Sequence, residues 1–336
     1  MKKYFSITFI LLLLIVGGCN RNIEKPKEKD EKTVTMQNDF PVKEEMKSDK
    51  PGDLLKHQVK VQINPQKVIV MDLGALDMMK QLKLKNHVVG ITKGIDEAFL
   101  TEDLSDFKGE KYVNIGNPGR PNFEKIAELS PDVIFLSFRQ AHTKTLDEIK
   151  KAAPDAQLVY MSPNDDDYIN SVKNNMLIMG KIFEKETEAK SLNKKLDSKV
   201  IEVKKLAQNN QDRIMFLDID EKGMKIYGNT GRFGGFLNRE IGIKPIDKTV
   251  KATSKGHKIN FEYISKLNPE RIFTINRLPN AGKQLHTNFN NPLIKSVKAV
   301  KNNRITQFDA NSWYFTAGGI ESTLNQLEEI EKGLKK

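Results

Sequence analysis

The feature that most constrains the fold of this chain is an eighteen-residue segment that occurs twice. Residues 122–139 and 260–277 align at a constant offset of 138, and nine of their eighteen positions are identical, where chance would give roughly one. Each copy carries apolar residues at helical spacing, then a proline, an apolar strand and an arginine, which is Arg139 or Arg277. One helix–strand unit used twice predicts two lobes of related structure.

The order of the elements along the chain predicts an α/β fold. Apolar strands alternate with amphipathic helices, which favours a mainly parallel sheet with flanking helices in each lobe. Residues 168–208 have a helical pattern with a break near 183–186, and the second piece, 187–208, would span roughly 33 Å. We expect this one long helix to join the two lobes. The ligand cleft should lie between the lobes, because ligands bind outside the carboxyl ends of the strands in open sheets.

The amino-acid composition narrows the choice of ligand. The formal net charge is +11, but it comes almost entirely from lysines scattered among acidic residues, so no nucleic-acid partner is expected. Arginine occurs only nine times in the chain, and two of these arginines end the repeated segments. The planar, permanently charged guanidinium suits a partly buried anion better than an ammonium does. The sequence therefore indicates an anion-binding cleft.

The N-terminal residues have the composition of an export signal. Lys2 and Lys3 precede an apolar run, 5–16, that is too short to span a bilayer. The run ends in Val16-Gly17-Gly18-Cys19, which resembles the lipobox of bacterial lipoproteins, whose cysteine carries the lipid; a plain cleaved signal peptide is the alternative. Cys19 is the only cysteine in the chain, so the mature lobes would hold neither a disulfide nor a thiolate metal site.

The segment after Cys19 predicts a flexible tether, because residues 21–50 are highly charged with few large apolar side chains. The predicted organisation is therefore a signal peptide (1–18), a lipidated N-terminus with a disordered tether (19–56), an N-terminal lobe (57–165), a helical linker that includes the bridging helix (166–210) and a C-terminal lobe (211–336).

From about residue 57 to its end, the chain resembles a known family, the bilobal substrate-binding proteins of ABC importers for ferric siderophores, haem and cobalamin. The resemblance rests on the paired repeats, the mid-chain helix and the lipoprotein signal, and it is greatest to the catecholate-siderophore binders. Their motifs correspond to Ser137-Phe138-Arg139-Gln140, Gly231-Arg232-Phe233-Gly234, Gly256-His257-Lys258-Ile259-Asn260, Ile275-Asn276-Arg277 and Trp313-Tyr314-Phe315.

The resemblance implies roles for particular residues. Arg139, Arg232 and Arg277 would converge on a ferric catecholate anion, with Trp313 also lining the cleft. His257 and Tyr314 would complete the coordination of iron(III) in siderophores that leave two of its positions open, and imidazole and phenolate are suitable donors. A structural role is the alternative for each of these residues.

The resemblance also implies partners. Glu124 and Glu262, at matching positions of the two repeats, would dock on arginines of the membrane permease, although an interaction with the helix dipole alone is the simpler reading. The protein would be a monomer without an intrinsic cofactor. It would be anchored to the cell membrane through Cys19, face the extracytoplasmic side and carry the ferric siderophore as its transported ligand.

Other functions remain open at this stage. Haem, cobalamin or a ferric hydroxamate could be the ligand within the same importer class. A zinc or manganese importer protein is disfavoured, because an arginine-lined cleft repels a bare cation. A secreted hydrolase is also disfavoured, because the chain has no G-x-S-x-G motif, no H-E-x-x-H motif and no cysteine available as a nucleophile.

Overall fold

The computed structural model describes residues 32–45, 52–100, 102–278 and 289–336. The predictions for the signal peptide and for Cys19 fall outside these residues. Residues Lys32–Lys336 form one compact unit. In the part of the chain that the structure describes, no helix combines the length and the apolar character needed to cross a membrane.

The N-terminal lobe is built on a five-stranded sheet in which every pair of neighbours is parallel, as the alternation of strands and helices predicts. In spatial order its strands are β11 (Gln157–Tyr160), β10 (Val133–Leu136), β5 (Val68–Val70), β6 (Val88–Ile91) and β7 (Val113–Asn114). Two short strands, β8 (Gly116–Asn117) and β9 (Arg120–Pro121), form a separate antiparallel pair.

The C-terminal lobe is built on a mixed five-stranded sheet. In spatial order its strands are β14 (His257–Ile259), β13 (Gly223–Ile226), β12 (Ile214–Asp220), β15 (Arg271–Asn276) and β16 (Ile305–Phe308). The last three strands are parallel, whereas β13 pairs antiparallel with both β12 and β14. Asp220 pairs with Gly223 across a tight turn, and such a turn can join only antiparallel strands.

Helices flank both sheets. Those of the described residues are α1 (Leu73–Gln81), α2 (Phe123–Leu129), α3 (Thr143–Ala152), α4 (Tyr168–Ile182), α5 (Glu186–Asn209), α6 (Phe261–Leu267), α7 (Lys298–Lys301), α8 (Ala310–Tyr314) and α9 (Ile320–Lys335), with a π-helical stretch at Gly235–Glu240. The predicted break between α4 and α5 is present, and α5 is the long helix expected between the lobes.

The sequence repeat is also a structural repeat. In α2 and α6 an asparagine side chain at the N-cap, Asn122 or Asn260, accepts a hydrogen bond from a backbone N–H of the first turn. Both helices end in a residue of left-handed conformation, Ser130 (φ 45°) or Asn268 (φ 46°). A strand follows in each lobe, β10 or β15, and its carboxyl end leads to the arginine of the repeat.

The apolar core is continuous from one lobe to the other. It runs from Leu76 in α1 through Met176 in α4 and Leu196 in α5 to Phe273 and Trp313 of the C-terminal lobe. Two further clusters cover the outer faces of the two sheets. The long helix α5 therefore joins the two lobes as part of one packed core.

The N-terminal boundary of the folded part differs from the prediction. Strand β1 (Thr33–Gln37) pairs with β4 (Gln58–Gln62), and β2 (Phe40–Val42) pairs with β3 (Asp53–Leu55). Phe40 is buried and stacks on Tyr160, with ring centroids 4.8 Å apart. Much of the segment predicted as a disordered tether is thus ordered, because its apolar residues pack onto the N-terminal lobe.

Two carboxylates connect the lobes by capping helices across the interface. Asp77 of α1 accepts hydrogen bonds from the backbone N–H groups of Glu321 (2.8 Å) and Ser322 (3.2 Å) at the start of α9. In the opposite direction, Glu240 accepts from the backbone N–H groups of Tyr168 and Ile169 at the start of α4. Each carboxylate satisfies orphan donors and lies at the positive end of a helix dipole.

Candidate anion-binding site

Arg139 lies in a rigid turn just past β10. The buried Gln140 side chain accepts hydrogen bonds from the backbone N–H (2.7 Å) and the hydroxyl (2.8 Å) of Ser137. The guanidinium of Arg139 donates to the backbone carbonyl of Tyr314 in the other lobe, at 3.2 Å. Burial lowers the pKa of Arg139 to about 10, and the neighbouring Arg232 acts in the same direction.

Arg232 reaches the same point from a glycine-rich loop of the C-terminal lobe. A side chain at Gly235 would collide with the backbone, since its Cβ would lie 1.9 Å from the carbonyl oxygen of Asp165. Only glycine fits at this position, because the backbone of the C-terminal lobe packs directly against that of Asp165. The guanidinium carbon of Arg232 lies 4.1 Å from the ring centroid of Tyr314.

Arg277 follows β15, as the repeat predicts, and is held by two carboxylates. Its Nε donates to Asp218 Oδ1 at 2.9 Å, and its Nη2 donates to Asp218 Oδ2 at 3.1 Å and to Asp220 Oδ2 at 2.9 Å. Burial alone would lower the pKa of Arg277, but Asp218, followed by Tyr314 and Asp220, outweighs burial and raises the pKa. The hydroxyl of Tyr227 also donates to Asp218, at 2.8 Å.

Tyr314 is the residue on which the three arginines converge. It ends α8, and its ring centroid lies 4.1 Å from the guanidinium carbon of Arg277 as well as from that of Arg232. Burial raises the pKa of Tyr314, but the positive charges of Arg232, Arg277 and Arg139 outweigh it, so the pKa is lowered overall. The structure thus brings the sequence-predicted triad together around Tyr314, with Arg232 and Arg277 against its ring and Arg139 at its backbone carbonyl.

The charge of the cluster is unevenly balanced. Among the described residues, neither Arg139 nor Arg232 has a carboxylate within 4.0 Å, whereas Arg277 has two. Asp72 and Asp165 lie near Arg139 and Arg232, and burial raises the pKa of both carboxyl groups against the effect of those arginines. Two of the three guanidinium groups therefore retain hydrogen-bonding capacity for an anionic ligand.

His257 lies away from this cluster. It pairs with Ile226 across the antiparallel β13–β14 ladder, whereas Asp218 pairs with the preceding residue, Lys225. Residues that pair directly share a face of the sheet, and successive residues alternate, so His257 and Asp218 occupy opposite faces. The imidazole Nε2 contacts the carbonyl oxygen of Lys251 at 2.8 Å. The predicted iron ligands, His257 and Tyr314, are not brought together.

Trp313, predicted to line the cleft, is instead part of the core. Its side chain is 2% exposed, its indole stacks on Phe308 with ring centroids 5.0 Å apart, and its Nε1 donates to Glu329 at 2.7 Å. In this position the indole is shielded from a ligand in the cleft. Because Trp313 directly precedes Tyr314 in the chain, its fluorescence should change when a ligand binds near Tyr314.

Glu124 and Glu262 occupy equivalent places in the two repeats. Each lies in the first turn of its helix, α2 or α6, and each is exposed. The helix dipole favours both carboxylates there, and their exposure leaves them accessible to a partner. The predicted role in docking stays a prediction.

The sequence matches a family described as periplasmic binding protein over residues 68–311. The petrobactin-binding protein YclQ of Bacillus subtilis is 33% identical over 341 residues, covering 100% of both chains. This chain belongs to the periplasmic binding protein family.

Two further relatives and one crystal structure support this placement. The ferric-anguibactin-binding protein FatB of Vibrio anguillarum is 27% identical over 285 residues, covering 82% of this chain and 84% of FatB. The putative ABC transporter substrate-binding lipoprotein YhfQ of Bacillus subtilis is 24% identical over 351 residues, covering 100% of both. The crystal structure of YclQ matches with a TM-score of 0.76 at 32% identity, covering 89% of this chain and 99% of that one. The predicted two-lobed α/β fold of a periplasmic binding protein is confirmed.

Sequence reasoning missed the acidic residues of the site, namely Asp72, Asp165, Asp218 and Asp220. Asp218 and Asp220 alternate with buried apolar residues along β12. Because a buried carboxylate is usually paired, this pattern could have predicted a positively charged partner for them. The partner could not be named, since Asp218 and Arg277 are 59 residues apart.

Proposed function

We propose that this protein captures an anionic ferric siderophore of the catecholate type and delivers it to an ABC permease for iron uptake. The observation that carries the proposal is the convergence of Arg139, Arg232 and Arg277 on Tyr314 at the junction of the lobes. Two relatives, which are named for binding petrobactin and ferric anguibactin, support the proposal.

The chemistry of the cluster favours a compact, delocalised anion. A ferric tris-catecholate carries a charge of about −3 spread over six phenolate oxygens, each of which can accept charge-assisted hydrogen bonds from guanidinium groups. Arg139 and Arg232 have donors available for such bonds, whereas Arg277 supplies a charge already balanced by Asp218 and Asp220. A nearly neutral hydroxamate complex would gain less from this arrangement.

Where a catecholate siderophore leaves coordination positions of iron(III) open, the protein can supply a donor, whereas a hexadentate tris-catecholate leaves none. The lowered pKa of Tyr314 makes its phenol easier to deprotonate, and phenolate is a hard oxygen donor suited to iron(III). His257 could join it only after leaving the carbonyl of Lys251 and turning to the other face of the sheet. We therefore assign the first donor role to Tyr314 and make the role of His257 conditional on a rearrangement of β14, which lies at the edge of its sheet.

We also propose where the protein is located and what it docks on. The protein would be a monomeric lipoprotein anchored through Cys19, would dock on the permease through Glu124 and Glu262, and would bind its ligand without transforming it. The exposure of both glutamates at equivalent repeat positions supports the docking role, and the relative YhfQ carries the lipoprotein description.

The test is a fluorescence titration of the full chain in mild detergent, following Trp313, the only tryptophan. The ligands are a hexadentate ferric tris-catecholate, a ferric tris-hydroxamate, haem and cobalamin. Saturable quenching by the catecholate at sub-micromolar concentration, with the others inactive, is the expected result. Tight binding of one of the others would keep the importer role and overturn the catecholate assignment. If none of them binds, with calorimetry as the check, the proposed function is wrong.

A further inference from the structure

Phe138 exposes half of its surface beside the arginine cluster. Its side chain is 50% exposed, although burial of a phenylalanine ring is favourable. The guanidinium carbon of its neighbour Arg139 lies 4.5 Å from the centroid of the Phe138 ring. An aromatic ring that carries a cation on one side and is half open to solvent is an unusual surface feature, because aromatic rings are preferentially buried.

The backbone of the turn fixes this exposure. The N–H of Phe138 donates to Ser162 Oγ at 3.0 Å, and that hydroxyl in turn donates to the buried Asp72 at 2.8 Å. On the other side of the turn, the side chain of Gln140 bonds Ser137 and donates to the carbonyl of Pro118. The backbone therefore cannot turn inward at Phe138 without breaking bonds to buried groups, which keeps this residue at the surface.

The location of Phe138 in the fold is one where ligands bind. Phe138 comes two residues after the end of β10, at the edge of the sheet where ligands bind in folds of this type. Its immediate neighbour, Arg139, is one of the two arginines of the cluster that lack a carboxylate within 4.0 Å in the described residues. A ligand that bonds Arg139 thus comes within reach of the Phe138 ring.

We infer that Phe138 is a specificity-determining residue, whose exposed ring stacks on an aromatic ring of the iron chelator. This inference rests on the proposed function and adds to it the reason for preferring chelators that carry aromatic rings. Offset or edge-to-face contacts between aromatic rings stabilise beyond the burial of area alone. A chelator built only from aliphatic carboxylates can use the arginines but gains nothing from the ring.

The experiment compares Phe138→Leu and Phe138→Tyr in the full chain. Leucine keeps the apolar volume and loses the aromatic ring, whereas tyrosine keeps the ring. With a hexadentate ferric tris-catecholate, we expect Phe138→Leu to weaken binding about 10-fold and Phe138→Tyr to stay within about twofold of the original protein. Ferric citrate, an anionic complex without an aromatic ring, should bind both variants alike. Ile201→Ala is the control, since Ile201 is an exposed apolar residue (69%) on the connecting helix α5.

The possible results separate this inference from the proposed function. If Phe138→Leu binds the catecholate as the original does, or if it loses affinity for catecholate and citrate equally, the stacking role is wrong. Unchanged affinity with a loss of iron uptake would assign the ring to the permease instead and would also overturn the inference. If the original protein binds no ferric complex at all, the proposed function fails before Phe138 is tested.

Discussion

Arg277 and Asp218 form a two-point ion pair at the ends of neighbouring strands, with Nε 2.9 Å from Oδ1 and Nη2 3.1 Å from Oδ2. The Asp218 side chain has no exposed surface, and that of Arg277 is only 18% exposed. Arg139, at the matching position of the other repeat, donates instead to a neutral backbone carbonyl. The two equivalent arginines therefore differ in their partners: Arg277 is held in an ion pair within the protein, whereas Arg139 keeps hydrogen-bond donors for the proposed ligand.

Replacing Arg277 should cost stability as well as affinity. In Arg277→Ala, Asp218 would stay buried without its counter-ion, and breaking a buried pair in this way costs about 3 kcal/mol. Urea unfolding should show this loss, whereas Arg139→Ala, which breaks no ion pair, should unfold close to the original protein. Equal losses in the two variants would contradict the division of roles.

Replacing Arg139 or Arg232 should mainly weaken ligand binding. Each substitution would leave acceptor oxygens of the anion without a charged donor, at a cost of about 2 kcal/mol, or roughly 30-fold in affinity. The measurement is the ferric catecholate titration, with Arg213→Ala as control, because Arg213 is exposed and pairs with Glu270. Affinities unchanged in both variants would remove the anion site.

Reversing the charge of the paired glutamates should stop transport without affecting capture. Glu124→Arg and Glu262→Arg place a positive charge where the permease is proposed to present arginines, and like charges repel. Iron uptake by cells should fall in each variant and further in the double variant, with ligand affinity unchanged. Glu128→Arg, an exposed change on the same helix α2, serves as control. Normal uptake in the double variant would exclude docking through these residues.

Asp77 should make stability depend on pH. Burial raises its pKa to about 6 from 3.8, against the hydrogen bonds from Ser322 and Glu321. Between these two values the folded state binds more protons than the unfolded state, so stability falls as the pH rises. The stability that the carboxyl group contributes is fully present below pH 3.8 and is lost as the pH rises through about 6.

Asp77→Asn removes this titration. The free energy of unfolding of the variant minus that of the original protein should therefore increase by about 3 kcal/mol as the pH rises from about 4 to about 7. Urea unfolding of both proteins across that range gives the difference directly. A difference that does not change with pH would show that Asp77 keeps an ordinary pKa in the folded protein.

The two repeats should respond differently to glycine at their helix ends. Ser130→Gly should stabilise the protein by about 0.5 kcal/mol, because glycine adopts the left-handed conformation without steric cost and the change removes only an exposed hydroxyl hydrogen bond to the carbonyl of Ala127 at 3.2 Å. Asn268→Gly should not, since asparagine tolerates that conformation and Asn268 Oδ1 accepts a hydrogen bond from Lys298 N at 2.9 Å. Thermal unfolding of the two variants measures the comparison, and equal gains would contradict it.

The sequence by itself determined the parts of this protein that depend on neighbouring residues. The repeat, its helices and strands, the break before α5 and the arginines after β10 and β15 follow from apolar spacing, capping asparagines and prolines, which act over a few residues. The same kind of signal, alternating apolar residues in Thr33–Gln37, marks the ordered strand that the tether prediction missed.

Only the tertiary structure decided how the site is charged and which side chains reach it. The pairing register of strands β12, β13 and β14 places His257 on the face of the sheet opposite Asp218. Trp313 packs against Phe308 and is buried, whereas the next residue, Tyr314, contacts the arginines. Arg277 differs from Arg139 because the fold places Asp218, which is 59 residues away in the sequence, beside it. Burial, strand register and ion pairing depend on contacts between segments that are distant in the chain. The residues near each position do not specify those contacts.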